Sequence, residues 1–573
     1  MTFKKSFVIL YFLLNNIKAH VKVRVEQGVL LGNKEATVFN RKSYYSFYGV
    51  PYAQAPIGKL RFKDPKPPKI WKQPLDATTE FRGACAQAHI VHKHGQYGFE
   101  NCLYLNIYTP YLPQEVKPIL KAVIVWIHGY AFTSSFSHIH GGDFLIDNDV
   151  IFISLTHRLG AFGFLKLNQS DSNSNMGLKD IILGLKWIKT NIQNFGGDKN
   201  KITVMGSGSA STLLSLILVT KYKNLFTKMI LQSGSIFSPS LFQTEEETEK
   251  QRLEEEIKKM GVKDLKNAST KYIIQASQKI YNSRDITNFQ RPIIPFAPIL
   301  ETKSWKSLLS LDKYNATLRN VNFSKIPILI GFTSQESISE LIPFIQNTHY
   351  LKMYHSLFKF MVPFEDGCKY EYSSEIYKSI SNEIKNWYFK SGLSENSIHD
   401  FLKYVSDLRK YPIYKFINTV LSVGGEIYVY KFNYVGQLNA VKSTSLAGSN
   451  IRVKGAAQGD EICYILKCDP YWESYVKLKE NKYHKDRIFI EQISQMWANF
   501  AKSGEPTSIN NYGNITWPPM SLKRDNVFEF AINNRLINSK SERKMFKFWE
   551  KIYYKYYELK NCQNLMNTRK DEL

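Results

Sequence analysis

The stretch NFGGDKNKITVMGSGSAST, residues 194–212, decides the fold. Residues 201–206 form an apolar, β-branched run that predicts a buried strand, and the run TLLSLILV at 212–219 predicts a buried helix. The turn between them contains the small residues Gly206, Ser207, Gly208 and Ser209. Small residues suit a sharp strand-to-helix turn, so the question is what chemistry such a turn supports here.

Strand-like and helix-like runs alternate on both sides of this turn. Buried strands are predicted at 121–129, 150–158, 229–235 and 326–333, and a helix is predicted over 176–197, where it ends at a Gly-Gly pair. This alternation predicts an α/β fold whose central sheet is mostly parallel and flanked by helices. No linker-like segment divides the 573 residues, so we expect one large domain with its chemistry at the carboxyl ends of the strands.

Motif-like blocks run along most of the chain. They read YGVPYAQAPIGKLRFKDPKPP (48–68), ENCLYLNIYTP (100–110), VWIHGYAF (125–132), HRLGAFGFL (157–165), NFGGDKNKITVMG (194–206), IGFTSQES (330–337) and GAAQGDEICYI (455–465). In this order they resemble the carboxylesterase/cholinesterase (type B) family of α/β-hydrolases. The resemblance implies an α/β-hydrolase domain over residues 20–560, and a serine esterase site if the catalytic residues are present.

The nucleophile position of this family, the serine of G-x-S-x-G, falls on Gly208. The ungapped match of residues 194–204 gives this register and places Ser207 at the family's glutamate. Counted back from NLF at 224–226, the chain is one residue shorter than is common in the family. If that deletion lies in the turn, Ser207 takes the nucleophile position instead, but Met205 then falls where a small residue is needed, which favours Gly208.

The base position of the family motif G-x-x-H-x-x-E falls on Gln458, between Gly455 and Glu461. A glutamine amide forms hydrogen bonds but does not shuttle protons near neutral pH. The acid position matches Glu336, which then has no histidine to orient. The resemblance therefore implies a catalytic triad that retains its acid and lacks its nucleophile and its base.

The oxyanion loop, usually H-G-G-G-F in the family, reads HGYAF at 128–132. Its oxyanion-hole positions are Tyr130 and Ala131, with Ser209 after the nucleophile position. Tyr130 adds a bulky side chain where a substrate carbonyl approaches, whereas Ala131 and Ser209 retain N–H groups. The alternative to an inactive site is a rearranged esterase that uses Ser207 or Ser209 as its nucleophile.

The resemblance further implies a Cys85–Cys102 disulfide and an ion pair between Glu100 and Arg158 beneath the site. Spacing does not establish the pairing of Cys368, Cys463, Cys468 and Cys562. We expect no cofactor and no metal ion, since neither the family nor any motif in the chain calls for one.

The two ends of the chain carry sorting patterns. Residues 1–19 contain two lysines and a short apolar run and are predicted to be a signal peptide. Residues 561–573 form a tail ending in KDEL, which the retrieval receptor of the endoplasmic reticulum recognises. We therefore expect a lumenal protein without a transmembrane segment. N-glycosylation sequons begin at Asn168, Asn267, Asn315, Asn322 and Asn514.

The net charge of +26 does not by itself indicate a nucleic-acid partner. No dense basic patch interleaved with aromatic residues and no nucleic-acid motif accompanies it, so we expect lysines spread over the surface of a monomer. The favoured function is a catalytically inactive carboxylesterase homologue that binds a hydrophobic ester, a lipid or a hormone-like ligand. A lumenal protein is an equally open partner at this point.

Overall fold

The computed structural model describes residues 20–79, 83–88, 96–113, 119–167, 174–238, 246–280, 294–301, 307–309, 326–352, 362, 370, 373–390, 392–507 and 515–558. The signal peptide at 1–19 and the tail at 561–573 lie outside this set, as do Cys368 and Cys562. Within the described residues, no helix combines the length and the apolar character needed to cross a bilayer.

A large mixed sheet forms the centre of the molecule. Its strands are β1 (Val21–Val25), β2 (Gly28–Ala36), β3 (Ser43–Pro51), β4 (Leu75–Asp76), β7 (Tyr104–Thr109), β8 (Lys121–Gly129), β10 (Ile151–Leu155), β11 (Gly197–Gly208), β12 (Lys228–Gln232), β13 (Ile328–Thr333), β14 (Ile427–Phe432), β16 (Val527–Phe530) and β17 (Arg535–Ile537). Two small ribbons pair β5 (Gln87–Ala88) with β6 (Gln96–Tyr97) and β9 (His140–Gly141) with β15 (Lys467–Cys468).

The sheet is parallel in its middle and antiparallel at both edges. The order is β1-β2-β3-β7-β10-β8-β11-β12-β13-β14-β16-β17, with β4 beside β2. Every neighbouring pair from β10 to β16 is parallel, whereas β1 to β7 and the edge pair β16–β17 are antiparallel. The mostly parallel α/β sheet expected from the sequence is therefore present, and it forms one domain.

Helices cover both faces of the sheet. They are α1 (Asp143–Asp147), α2 (Gly160–Phe164), α3 (Met176–Asn191), α4 (Ser209–Ile217), α5 (Glu246–Lys259), α6 (Thr270–Ser277), α7 (Ile342–Gln346), α8 (Glu375–Tyr388), α9 (Ile398–Ser422), α10 (Ala440–Leu446), α11 (Ile462–Ile465), α12 (Trp472–Glu480), α13 (Lys485–Ser503) and α14 (Lys540–Tyr557). Short 3-10 turns lie at Gly58–Leu60, Ser137–Ile139, Ile192–Phe195, Lys223–Leu225, Ile338–Glu340, Glu395–Ser397 and Asp469–Tyr471.

The central strands are apolar on both sides because helices cover both faces of the sheet. Along β11, Val204 belongs to the core on one face, and its neighbour Met205 packs on the other face with Trp126 of β8. The alternation of side chains along a strand thus assigns each residue near the end of β11 to one face. This assignment matters at the carboxyl end of β11, where the sequence places the turn.

Two ion pairs lie below that end of the sheet, and they differ from the expected one. Arg158 contacts Asp180 of α3 through two hydrogen bonds of 2.8 and 2.7 Å. Glu100 instead accepts two hydrogen bonds of 2.7 Å from Arg61. The expected Glu100–Arg158 pair is wrong, because each residue has a closer bidentate partner.

The Arg158–Asp180 pair provides a test of this packing. Replacing Asp180 by Ala leaves a guanidinium, only 3% exposed, without its carboxylate. We expect the free energy of unfolding in urea to fall by about 3–5 kcal/mol. Lys378→Ala is the control, because its pair with Glu375 is exposed and its loss changes stability by less than about 0.5 kcal/mol. Equal effects of the two substitutions would contradict the buried pair.

Candidate functional site

A cavity of about 1210 Å³ opens at the carboxyl ends of β8 and β11. Apolar side chains from several elements form most of its wall: Phe136, Phe162, Ile274, Phe296, Ile342 and Ile462. Among the residues described, no Asp, Glu, Lys or Arg lines the cavity. The site is therefore a large cavity whose wall is mainly apolar and also carries uncharged polar side chains, among them Gln87, Ser134 and Thr444.

Gly208 is the turn residue between β11 and α4. Its backbone has φ 59° and ψ −126°, a conformation in which side chains with a Cβ are strained. A Cβ added there would lie 2.4 Å from the Gly129 carbonyl oxygen and 3.3 Å from Nε2 of Gln458. The nucleophile and base positions inferred from the sequence therefore face each other, with a glycine at one and a glutamine at the other.

Glu336 lies behind Gln458 and is joined to it through Ser233. Nε2 of Gln458 donates to the Ser233 carbonyl at 3.4 Å, and the Ser233 hydroxyl donates to Oε1 of Glu336 at 2.8 Å. Burial raises the pKa of Glu336, while hydrogen bonds from Thr333 and Ser233 oppose that rise. The three triad positions thus form a line, but no group in the middle of the line transfers a proton.

The oxyanion loop has its own hydrogen bonds. The Tyr130 amide donates to the Ser134 carbonyl at 2.9 Å, so this N–H does not point at a substrate. The Phe132 amide donates to the Ser209 hydroxyl at 3.0 Å, and Ala131 and Phe132 both have positive φ. Of the three predicted oxyanion positions, Tyr130 has its amide occupied, whereas the amides of Ala131 and Ser209 have no acceptor among the described residues.

Ser207 and His128 form a polar pair that the sequence reasoning missed. They are directly opposite each other in the β11–β8 register, and both line the cavity. Ser207 is 3% exposed, and in the part of the chain that the structure describes its hydroxyl makes no hydrogen bond and is open to the cavity. The sequence contained one indication of this pair, because both residues were expected at the carboxyl ends of neighbouring strands. The interpretation of the oxyanion loop considered only the residues after His128.

The protonation state of His128 decides whether this pair is catalytic. Nδ1 of His128 accepts a hydrogen bond of 3.1 Å from the Phe136 amide. Burial lowers the pKa of His128 to about 4, helped by the neighbouring His138 and His157. The neutral ring therefore carries its proton on Nε2. An imidazole in this state donates a hydrogen bond and does not take the proton of Ser207.

Two disulfides frame the site. Cys85 is bonded to Cys102, as the resemblance implied, with an S–S distance of 2.02 Å. Cys463 is bonded to Cys468, and both residues line the cavity. Among the predicted glycosylation sites, Asn267 is exposed, and Asn168, Asn315, Asn322 and Asn514 lie outside the described residues. Nowhere in the described part of the chain do three possible metal-ligating side chains gather as a metal site would need.

Comparison with known proteins assigns the family. Residues 19–549 match the model of the carboxylesterase family, which is most of the chain. The chain belongs to the carboxylesterase family. Esterase E4 of Myzus persicae is 29% identical to this carboxylesterase-family chain over 521 residues, covering 89% of it and 90% of the relative. Juvenile hormone esterase of Tribolium castaneum is 26% identical and covers 88% and 87% of the two chains.

A solved structure has the same fold as this family member. Juvenile hormone esterase from Manduca sexta, with OTFP covalently attached, superposes with a TM-score of 0.78 and 24% identity. The match covers 93% of this chain and 100% of that one. At this level of identity the likeness establishes the α/β-hydrolase fold and leaves the activity of this carboxylesterase-family chain to its own residues.

Glu461, three residues after Gln458, is a buried carboxyl group with an unusual pKa. Its Oε2 accepts a hydrogen bond of 3.2 Å from the Gly459 amide. Burial raises its pKa from 4.5 to about 8, and the charges of Glu336 and Asp460 add to that rise. At neutral pH Glu461 is therefore mostly protonated.

This pKa predicts a pH dependence of stability. Because the folded-state pKa is raised, folding takes up a proton between pH 4.5 and about 8, and the stabilising contribution is lost as the pH rises through that window. Relative to the unmodified protein, Glu461→Gln should gain stability as the pH increases, by up to about 1.4 kcal/mol per pH unit. Urea unfolding across the window measures this, with Glu473→Gln as an exposed control. A Glu461→Gln curve parallel to that of the unmodified protein would contradict the assignment.

Proposed function

We propose that this carboxylesterase-family chain does not hydrolyse esters and instead binds a hydrophobic ligand, such as an ester, a lipid or a hormone-like molecule, in the cavity. One observation carries the proposal: Gly208 and Gln458 face each other at the positions where the family has its nucleophile and base. The acid, Glu336, remains in place but is held by Thr333 and Ser233.

The energetic cost of these replacements is large. Loss of one oxyanion donor typically costs ~10²–10³ in rate, and loss of triad members costs up to ~10⁶ in another hydrolase fold. In this chain both proton-transferring members of the triad are replaced, and the amide of Tyr130 is occupied by Ser134. These effects together remove nearly all of the rate advantage over water.

The cavity supports a binding role. Its volume of about 1210 Å³ exceeds the range of roughly 300–1,000 Å³ that is common for small-molecule sites. Its wall is mainly apolar and free of charged side chains among the described residues, so burial of an apolar ligand is the main source of affinity. A protein partner is the competing proposal, and nothing in the described surface singles out a docking face.

The second candidate function is an active carboxylesterase that uses Ser207 or Ser209. The similarity of the chain to known esterases supports this second function. Two contacts weigh against it: the Ser209 hydroxyl is engaged by the Phe132 amide, and the imidazole beside Ser207 has its Nδ1 engaged by the Phe136 amide. In the part of the chain that the structure describes, neither serine hydroxyl donates a hydrogen bond to a base.

A direct test combines ligand binding with covalent labelling. We expect the purified protein to bind the neutral apolar fluorophore diphenylhexatriene at micromolar concentration, and to remain unlabelled by a fluorophosphonate. Ala440→Trp, which places an indole in the cavity wall, should abolish the fluorescence, whereas Ala447→Trp at an exposed position beyond α10 should not.

Covalent labelling and fluorophore binding test different parts of the proposal. A stoichiometric fluorophosphonate adduct on Ser207 or Ser209, with p-nitrophenyl acetate turnover at ordinary esterase rates, would overturn the inactive assignment. Absence of diphenylhexatriene binding by the unmodified protein would overturn the ligand-binding role. The Gly208→Ser/Gln458→His double variant, in which the new Cβ requires local movement of the Gly129 carbonyl, provides the comparison for restored chemistry.

We also propose that the protein is retained in the lumen of the endoplasmic reticulum. The terminal KDEL and the disulfides Cys85–Cys102 and Cys463–Cys468 support this location, because disulfides persist in oxidising compartments. Deleting residues 570–573 should move the protein from cells to the medium, whereas replacing the exposed residues Lys482 and Tyr483 by alanine should not. Equal retention with and without KDEL would contradict the proposal.

A further inference from the structure

Ser207 and His128 do not lie at the altered catalytic positions, Gly208 and Gln458. Ser207 follows Met205 on one face of β11, the face that packs against Trp126. A side chain at Gly208, one residue later, would instead lie towards Gln458. The Ser207–His128 pair is therefore separate from the line of triad positions that runs through Gly208 and Gln458.

The unpartnered hydroxyl of Ser207 points to a ligand. Burying a hydroxyl without a hydrogen bond costs about 1–3 kcal/mol, so such groups normally have a partner. Ser207 is only 3% exposed, and its hydroxyl makes no hydrogen bond to a described residue, so the hydroxyl is open to the cavity that the residue lines. Because the residue lines the cavity, a molecule inside the cavity supplies the missing partner.

His128 determines which kind of atom this partner is. Its Nδ1 accepts from the Phe136 amide, so the ring proton lies on Nε2, and Nε2 makes no hydrogen bond to a described residue. Nε2–H and the Ser207 hydroxyl therefore both offer a proton on neighbouring strands. A carbonyl oxygen, which has two lone pairs and no proton of its own, accepts both hydrogen bonds, whereas an alcohol also brings a proton that needs an acceptor of its own.

The lack of a charged side chain in the described cavity wall disfavours a ligand with an ionised group at this position. The cavity wall holds no cationic side chain among the described residues, and a buried carboxylate without a cation is strongly disfavoured. Ser207 also stands where the resemblance places a glutamate, so the floor is neutral. A neutral acceptor satisfies both donors without bringing a charge into an apolar space.

We propose that Ser207 and His128 anchor the carbonyl oxygen of an uncharged, largely aliphatic ligand, which is an ester, ketone or amide that the protein holds and does not cleave. This inference rests on the proposed binding function and adds the chemical class of the ligand. The anchor differs from the oxyanion hole of an esterase, because it is built from two side chains rather than from the amides around Gly208.

The test compares ligands of equal chain length in displacing diphenylhexatriene. The probes are 2-dodecanone, dodecane, 1-dodecanol and dodecanoate at neutral pH. We expect 2-dodecanone to bind about 10-fold more tightly than dodecane, and more tightly than the alcohol and the carboxylate. A preference for dodecanol or dodecanoate over the ketone would overturn the carbonyl assignment.

Two substitutions locate the effect. Ser207→Ala should reduce the preference for ketone over dodecane to less than about 3-fold, whereas Ser207→Thr, which keeps a hydroxyl, should retain it. Diphenylhexatriene itself should bind to all three proteins with similar affinity. If the fluorophore binds but Ser207→Ala leaves the preference unchanged, the anchor is refuted and the binding function stands. If the fluorophore does not bind to the unmodified protein, the binding function itself fails.

Discussion

The hydrogen bond from the Phe136 amide to Nδ1 of His128 determines what the floor of the cavity can do. It leaves the ring proton on Nε2, so the imidazole beside Ser207 is a hydrogen-bond donor and not a base. Without this bond, a serine and a histidine on adjacent strands would be a plausible catalytic pair. With it, the same two residues form a neutral polar anchor in an apolar cavity.

The turn at Gly208 is the second constraint, and it acts through backbone geometry. The turn still has the conformation of a strand-to-helix elbow, but the close approach of the Gly129 carbonyl leaves no room for a Cβ without local movement. The turn therefore has a backbone geometry that would be strained in a residue with a Cβ, although Gly208 carries no hydroxyl. The fold has kept the architecture of a hydrolase, including the buried Glu336, while the atoms that would transfer a proton are absent from the triad line.

Much of this architecture was predictable from the sequence. The alternation of apolar runs predicted the parallel strands, and three separate blocks, at 194–206, 330–337 and 455–465, identified Gly208, Glu336 and Gln458 as the triad positions that the structure brings together. The Glu100–Arg158 pair failed because local competition decides ion pairing: Asp180 and Arg61 lie closer, and sequence does not reveal such distances. The Ser207–His128 pair was missed because it depends on strand register, and the tautomer of His128 depends on one backbone amide eight residues away.

The central claim is that, among the described residues, the imidazole next to Ser207 has no nitrogen free to accept the serine proton. The most direct test is the tautomeric state of His128, read from ¹⁵N–¹H long-range correlations in the protein labelled with ¹⁵N-histidine, with His128→Gln to assign its signals. The account predicts that, at neutral pH, Nε2 is protonated and Nδ1 is an unprotonated acceptor. A protonated Nδ1 with a free Nε2 beside Ser207 would contradict it and restore a base to the site.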